Sequence, residues 1–319
     1  MVKLIERIFK FLIVSVCFIF IYKYIKDNDN IVNIITNVDY TKFLFIILLV
    51  SIIIFLYSKL LLVTLTDLCE IKIPRLKWYL IYFNSQFLNS IPLFGIFYRA
   101  AQLKKFDLNY DKFVGIYILI SWFFLFLSLF LFSIETFFIL KNFKLFNLNL
   151  PVLLLLLSLF FLIIPLVFLK FTKVIIGKLN IKGNYFVNKL DKLINLFLIS
   201  LSNKVFLKKF FLIFLLLHFI EFLVLTLLID SLQGNVGFEN SFILFMGNTL
   251  IDMFNLLPQN LIISEIGLGL LTDQMNFNFE LGVLIKIYFR FIVFFSSVFI
   301  AILYNIILIF LNKNLKNNV

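Results

Sequence analysis

The sequence predicts an all-α, polytopic integral membrane protein of about six transmembrane helices, with two opposed re-entrant helical hairpins in an inverted repeat. Two observations carry the class. Hydrophobic residues make up 63% of the 319 residues and charged residues 14%, with a mean hydropathy of +1.09. A soluble chain is about one-quarter charged and could not hide so much apolar surface. Apolar runs of the length demanded by a ~30 Å hydrocarbon core also recur along the chain. A third observation, two short broken apolar segments in matching places, carries the repeat.

The basic start Met1–Lys10 leads into apolar Phe11–Tyr22, as a signal sequence does. The following Ile25-Lys26-Asp27-Asn28 offers no small-residue cleavage site, so the segment reads as an uncleaved first span. The six spans are 8–25, 43–63, 113–134, 151–169, 210–229 and 282–309. Between them, Trp78–Leu103 is broken at Pro92-Leu93-Phe94-Gly95 and Phe242–Leu271 at Pro258-Gln259-Asn260. Each arm is too short to cross comfortably but suits a hairpin that enters and leaves on one side. Broken backbone at membrane depth is tolerated only under cover of protein or a polar cavity. The chain reads as one transmembrane domain: 1–42 first span and outer loop, 43–140 first repeat, 141–209 linking span and basic cytoplasmic segment, 210–311 second repeat, 312–319 cytoplasmic tail.

Lysine and arginine set the orientation. Residues 64–112 carry seven and 170–209 carry nine, whereas 210–285 carries none but seven acids. Six spans with both termini cytoplasmic put both basic segments inside and the base-free segment outside; the loop with Lys141 and Lys144 falls outside, a minor violation. In 170–209, Phe186, Leu190, Leu193 and Phe197 follow helical spacing with Lys189, Asp191 and Lys192 between them, which predicts an interfacial helix on anionic headgroups. The net charge of +12 has the same origin, and its spread over membrane-flanking loops argues against nucleic-acid binding. The expected partners are membrane lipids, with anionic phospholipid headgroups at the cytoplasmic face. Cys17 and Cys69 are lone, with no metal or disulfide pattern, and no cofactor is expected.

Among the five prolines, only Pro92 and Pro258 have Asn three residues before them, Asn89 and Asn255. Seven residues after each comes a charge, Arg99 or Glu265, and Gly115 and Gly282 follow sixteen and seventeen residues later. Matching interruptions in two halves, entered from opposite faces, are the arrangement of inverted-repeat transporters with a site near the midplane.

These same residues carry a family resemblance. The stretch Tyr82–Leu103, with Asn84, Gln86, Asn89, Pro92, Gly95, Tyr98 and Arg99, resembles the first signature of the lysylphosphatidylglycerol synthase transmembrane family, the flippase-like domain. Leu256–Gly267, with Pro258, Asn260 and Glu265, resembles its second signature, although Gln259 and Ile262 replace glycines there. Arg290 matches a recurrent arginine, and the resemblance runs over roughly 40–311. It implies a stand-alone flippase-like protein of the bacterial cytoplasmic membrane, without the aminoacyl-transferase domain of bifunctional members. The implied cargo is an aminoacylated phospholipid or an isoprenoid-linked or glycosylated lipid.

A charge at the bilayer centre costs about 2.5–3.5 kcal/mol on insertion scales, so it is held by a partner or lines a cavity. Arg99 and Glu265 lead the candidate substrate-binding residues. Opposed hairpins would bring them together, or set Arg99 on a lipid phosphate that its planar fork matches. The competing reading sends Arg99 to the cytoplasmic surface beside Lys104 and Lys105 and leaves Glu265 wetted at the outer face. Arg290 needs a partner such as Glu265 or a phosphate, whereas Lys286, one turn earlier, snorkels outward. Asn89, Asn255 and Asn260 complete the binding set; for Asn89 and Asn255 the plainer role is to satisfy backbone groups freed at the breaks. His218 and Glu221 share a helix face, as a candidate proton relay or, the favoured reading, a structural hydrogen-bonded pair. Asp252 is a weaker candidate, and Lys59 snorkels from the last turn of its span.

The function expected is translocation of an anionic, aminoacylated or isoprenoid-linked lipid between leaflets, by a transporter and not an enzyme. No GxxxxGK[ST] nucleotide site is visible. One rival is an integral membrane transferase on lipid-linked substrates, using Asp27, Asp29 and Asp39 of the outer loop. The other is a non-transporting membrane scaffold, which would tolerate alanine at Arg99, Glu265 and Arg290 together.

Overall fold

The computed structural model describes residues 39–89, 94–139, 144–145, 148–179, 185–233, 236–253 and 263–317. The predicted span 8–25, Asp27, Asp29, Pro92, Asn255, Pro258 and Asn260 lie outside them. The described residues fold as ten α-helices, a short 3-10 turn at Lys104–Phe106 and one two-residue antiparallel ladder, Lys144–Leu145 with Leu148–Asn149. The chain is an all-α polytopic membrane protein.

Helix α1, Tyr40–Cys69, begins where the Asp39 carboxylate accepts the amides of Thr41 at 3.0 Å and Lys42 at 3.4 Å. It ends where Glu70 turns left-handed at φ 56° and the Ile71 amide reaches back to the Leu65 carbonyl at 3.2 Å. The outer-loop acid Asp39 is thus a helix cap. The helical hairpin α2, Arg75–Leu88, and α3, Phe94–Leu103, comes next, then the long α4, Tyr110–Ile139. Helix α5, Leu150–Leu179, and α6, Tyr185–Ser202, link to the second half. That half repeats the order: α7, Lys204–Gln233; a hairpin of α8, Phe238–Met253, and α9, Ile263–Gln274; and the long α10, Phe279–Asn317.

Among the described residues, four stretches are long and apolar enough to cross a membrane: Thr41–Cys69, Tyr110–Ile139, Lys204–Leu232 and Phe279–Ile307. They contain the predicted spans 43–63, 113–134 and 210–229 and most of 282–309, and α5 is helical throughout 151–169. At 1.5 Å per residue each runs to about 44 Å, longer than the hydrocarbon core, so it tilts or emerges into the headgroups. Backbone hydrogen bonding carries a helix past the residue where its apolar run stops. For that reason Lys59, exposed and ten residues before the end of α1, lies in mid-helix and not in a last turn. Large apolar side chains such as Leu44, Leu48, Ile52 and Phe55 stay exposed along α1 while Ile46, Val50 and Ile53 are buried. A helix that is apolar all round is what lipid on one side and protein on the other require.

Helices α1 and α7 lie antiparallel along their whole length. Lys42 pairs with Asp230 at 2.6 Å at one end, and Lys209 with Asp67 at 2.8 Å at the other. Midway, the Tyr57 hydroxyl donates to Glu221 at 2.7 Å. The connectors to α2 and α8 are short, so the hairpins begin at opposite ends of this pair. Both fold back on themselves. Arg99 sits over the Tyr82 ring, two residues about equally far from the first break. Gly267 faces Ile251 and Gly247 faces Leu271, pairs symmetric about residue 259. Trp78, fully buried, donates to the Ser58 carbonyl at 3.0 Å and pins the first hairpin to α1.

Helix α4 packs on α5, where Trp122 donates to the Phe161 carbonyl at 2.8 Å, and on α7 through Phe123, Phe124, Phe206, Phe210 and Phe214. Buried hydroxyls such as Thr64, Thr136 and Thr272 bond the carbonyls one turn back, which satisfies them without a tertiary partner. The helix predicted within 170–209 appears as α6, with Phe197 buried, Leu193 half-buried and Lys192 exposed.

Helix α10 approaches α9 so closely at Gly282 that a Cβ there would fall on the Leu268 backbone, whereas one on Gly115 would meet Leu196 at an ordinary 3.5 Å. Overpacking of this kind costs about 1–3 kcal/mol. Gly282→Ala is expected to lower the thermal unfolding midpoint of the detergent-purified protein by at least ~2–4 °C, and Gly115→Ala to leave it unchanged or higher.

Candidate functional site

The second hairpin is tied to α10 by two ion pairs one helical turn apart. Lys286 reaches Asp252, near the end of α8, with both carboxylate oxygens at 2.7 Å. Arg290 reaches Glu265, in the first turn of α9, at 2.9 Å and the Ser264 hydroxyl at 2.8 Å. The pair Arg290 and Glu265 is one that the sequence reading named. Lys286 corrects that reading: it does not snorkel outward but is 3% exposed and held by Asp252. Asp252 lies near the tip of its hairpin, within reach of the long lysine stem, so pairing inward neutralises both groups.

Arg99 and Glu265 are not brought together, because Glu265 is engaged by Arg290. Arg99 is 4% exposed and does not extend to the surface beside the exposed Lys104 and Lys105. Its guanidinium lies 5.0 Å from the centroid of Tyr82, on α2, and 5.5 Å from that of Tyr117, on α4. Its Nε donates to the Gly95 carbonyl at a long 3.4 Å. Among the described residues no carboxylate pairs with it. The Tyr117 hydroxyl is buried and, among the described residues, has no hydrogen-bond partner. Asn89 closes α2, with its backbone amide on the Ser85 carbonyl at 3.0 Å and its side-chain amide on Gln86 at 2.9 Å. Asn255 and Asn260 lie outside the described residues.

His218 and Glu221 do not pair with each other, in either the relay or the structural sense. The His218 ring meets Glu135 of α4 at 3.0 Å and is enclosed by Phe132, Phe214 and Phe245, with centroids 5.0–6.0 Å away. Glu221 instead accepts from Tyr57. A spacing of three puts two side chains on one face, but each here turns to a neighbouring helix that supplies a better-placed partner.

Polar contacts thus stand inside an otherwise apolar bundle: Arg99 with Tyr82, Tyr57 with Glu221, Lys286 with Asp252 and Arg290 with Glu265. Among the described residues no three His, Cys, Asp or Glu side chains are grouped to hold a metal ion. Tyr57, Tyr117 and Glu135 had no sequence signal, and Tyr82 entered only as the first residue of a signature stretch. Three are tyrosines in an aromatic-rich chain, and Glu135 stands just past the predicted end of its span.

Lys286 is the most deeply buried of the paired cations. Leaving it without a counter-charge is the expensive event, about 3–5 kcal/mol for a buried pair. Asp252→Asn is expected to destabilise the protein more than the double variant Asp252→Asn/Lys286→Met, as a double-mutant cycle of unfolding midpoints in detergent will measure.

A model of the lysylphosphatidylglycerol synthase TM region matches residues 7–301, nearly the whole chain. No curated protein and no solved structure matches it.

Proposed function

We infer a lipid-translocating function for this chain, which belongs to the lysylphosphatidylglycerol synthase transmembrane family. In this reading it is a transporter and not an enzyme, and it lies in a bacterial cytoplasmic membrane with both termini inside. The positive-inside distribution of residues 64–112 and 170–209 supports that orientation.

The observation that carries the reading is Arg99. Lys42, Lys209, Lys286 and Arg290 each have a carboxylate. Among the described residues, buried Arg99 meets two aromatic rings, the Gly95 carbonyl at a long 3.4 Å and the Tyr82 side chain, but no carboxylate. A cation–π contact is worth about 0.5–2 kcal/mol, and taking a guanidinium out of water costs several. Among those same residues the buried Tyr117 hydroxyl finds no hydrogen-bond partner. A group so arranged is stabilised by an anion with several acceptor oxygens, which is the chemistry of a lipid phosphate. The phosphate would accept from Arg99 and Tyr117 while the acyl chains remain in the bilayer along the apolar outer face.

Two hairpins that begin at opposite ends of the α1–α7 pair support an inverted repeat with re-entrant hairpins around a midplane site. The ion pairs on α10 neutralise Asp252 and Glu265 of the second hairpin, so the positive charge offered to the headgroup would be that of Arg99. With no nucleotide site in the sequence, movement would draw on gradients or lipid mass action.

The test is exchange of a fluorescent anionic phospholipid between leaflets of proteoliposomes. Arg99→Ala is expected to slow exchange at least ~10-fold, the loss of a charge-assisted contact, and Tyr117→Phe to slow it less. Wild-type protein exchanging lipid no faster than empty vesicles would overturn the reading.

A further inference from the structure

A second site, independent of the translocation reading, lies at the end of the bundle where α1 leaves and α4 enters the apolar layer. A cavity of about 580 Å³ opens there between Cys69 of α1, Gly115 of α4 and Leu196 of α6. That volume falls within the range of small-molecule sites. The cavity is distant in chemistry from Arg99: Tyr117 points its ring at Arg99, whereas Gly115, two residues earlier, turns to the opposite side of α4 and faces Leu196.

The lining is divided. Leu68, 8% exposed, and Leu196 form an apolar floor, and Val114 and Ile199 continue it outward at 39% and 48% exposure. The polar wall carries Lys112 and Lys192 together with Glu70 and Asp111. Among the described residues neither lysine is in an ion pair, and neither is Glu70. Lys112, Lys192 and Glu70 thus share one cavity without closing on each other, whereas Asp111 is engaged.

Each plausible occupant meets this wall differently. A bare anion would be drawn by the lysines and repelled by Glu70. An uncharged lipid would leave Lys112, Lys192 and Glu70 unmatched. A headgroup with both a phosphate and an ammonium matches the two signs at once, and its acyl chains match the apolar floor and the exposed exit. The mouth sits where the stretches Thr41–Cys69 and Tyr110–Ile139 end and begin, the depth at which lipid headgroups lie. Helix α6 borders it, with Lys192 exposed to the headgroups and Ile194 and Phe197 buried, as an interfacial amphipathic helix does.

We propose that the cavity between α1, α4 and α6 is a binding site for a zwitterionic, aminoalkyl-phosphate phospholipid. Lys112 and Lys192 take the phosphate, Glu70 takes the ammonium, and the chains leave over Val114 and Ile199.

The test is thermal unfolding of the delipidated, full-length protein in detergent, titrated with short-chain phosphatidylethanolamine, phosphatidylglycerol or diacylglycerol. Phosphatidylethanolamine is expected to raise the midpoint saturably and more than the other two. Lys192→Gln and Glu70→Gln, both at exposed positions, are expected each to raise the half-saturating concentration roughly tenfold. Ile199→Trp, at the exposed exit, should abolish the shift without disturbing the core. Arg99→Ala should retain it, which separates this site from the central one. The proposal is overturned if phosphatidylglycerol or diacylglycerol shifts the midpoint as far, if the shift survives Ile199→Trp, or if it disappears with Arg99→Ala.

Discussion

The antiparallel pairing of α1 with α7 governs the arrangement of everything else. Three polar contacts, Lys42 with Asp230, Tyr57 with Glu221 and Lys209 with Asp67, fix both the direction and the register of two otherwise featureless apolar helices. Packing of Leu and Phe alone would tolerate sliding, because one apolar surface fits another at many offsets and lipid competes on equal terms. Polar contacts do not tolerate it, since a shift of one turn leaves charged groups unmatched in an apolar layer. Once the two helices are antiparallel, their short connectors have no choice. One hairpin begins at the end rich in lysine and arginine, the other at the end where Asp39 and Asp230 stand.

The same economy explains the distribution of charge in the interior. Lys286 and Arg290 stand on one face of α10 and would be costly in isolation, but each meets a carboxylate from a different arm of the second hairpin. These contacts join α8 and α9 to a single helix across the break between them. Such pairs contribute modestly to stability in the net, since desolvation offsets much of the attraction. Their larger effect is on specificity: the hairpin has one position along α10 at which both carboxylates are matched. Close approach at Gly282 reinforces the same position, because no side chain separates α10 from the α9 backbone there.

Much of this was legible in the sequence, for reasons that can be traced to particular residues. The spans were visible because solvent preference is written residue by residue, and the breaks because proline and short apolar arms are local features. Helix ends were read too early. Hydropathy falls at a charge, but the backbone ladder does not stop there, so α4 runs on through Glu135 and α1 runs ten residues beyond Lys59. The polar partners were the least legible part. His218 and Glu135 are 83 positions apart, and Tyr57 and Glu221 are 164 apart. Periodicity assigns a side chain to a face of its own helix; which neighbour that face meets depends on the packing of the whole bundle. The tyrosines around Arg99 were hidden for a different reason. In a chain with 46 phenylalanines and 12 tyrosines, an aromatic at a helical position carries no information until a cation is found beside it.

Helix α10 touches both hairpins and so couples them mechanically. Its first turns hold the second hairpin through Gly282, Lys286 and Arg290, while the Tyr304 hydroxyl donates to the Leu76 carbonyl at 3.1 Å and Asn305 to Asn84 at 3.0 Å on the first. The two sets lie some fifteen residues apart, about 22 Å along a straight helix. The contacts differ in kind. The near end is made of buried ion pairs and backbone-to-backbone packing, which have one good geometry. The far end is made of single neutral hydrogen bonds at exposed positions and of Tyr304 rings set against Tyr79 and Phe83, which slide at little cost. Any rearrangement that moves the second hairpin must therefore carry α10 with it, and the yielding contact is the one between α10 and α2. Arg99 rests on Tyr82 of that same α2 helix, so the yielding contact is also the one that changes what surrounds this buried cation.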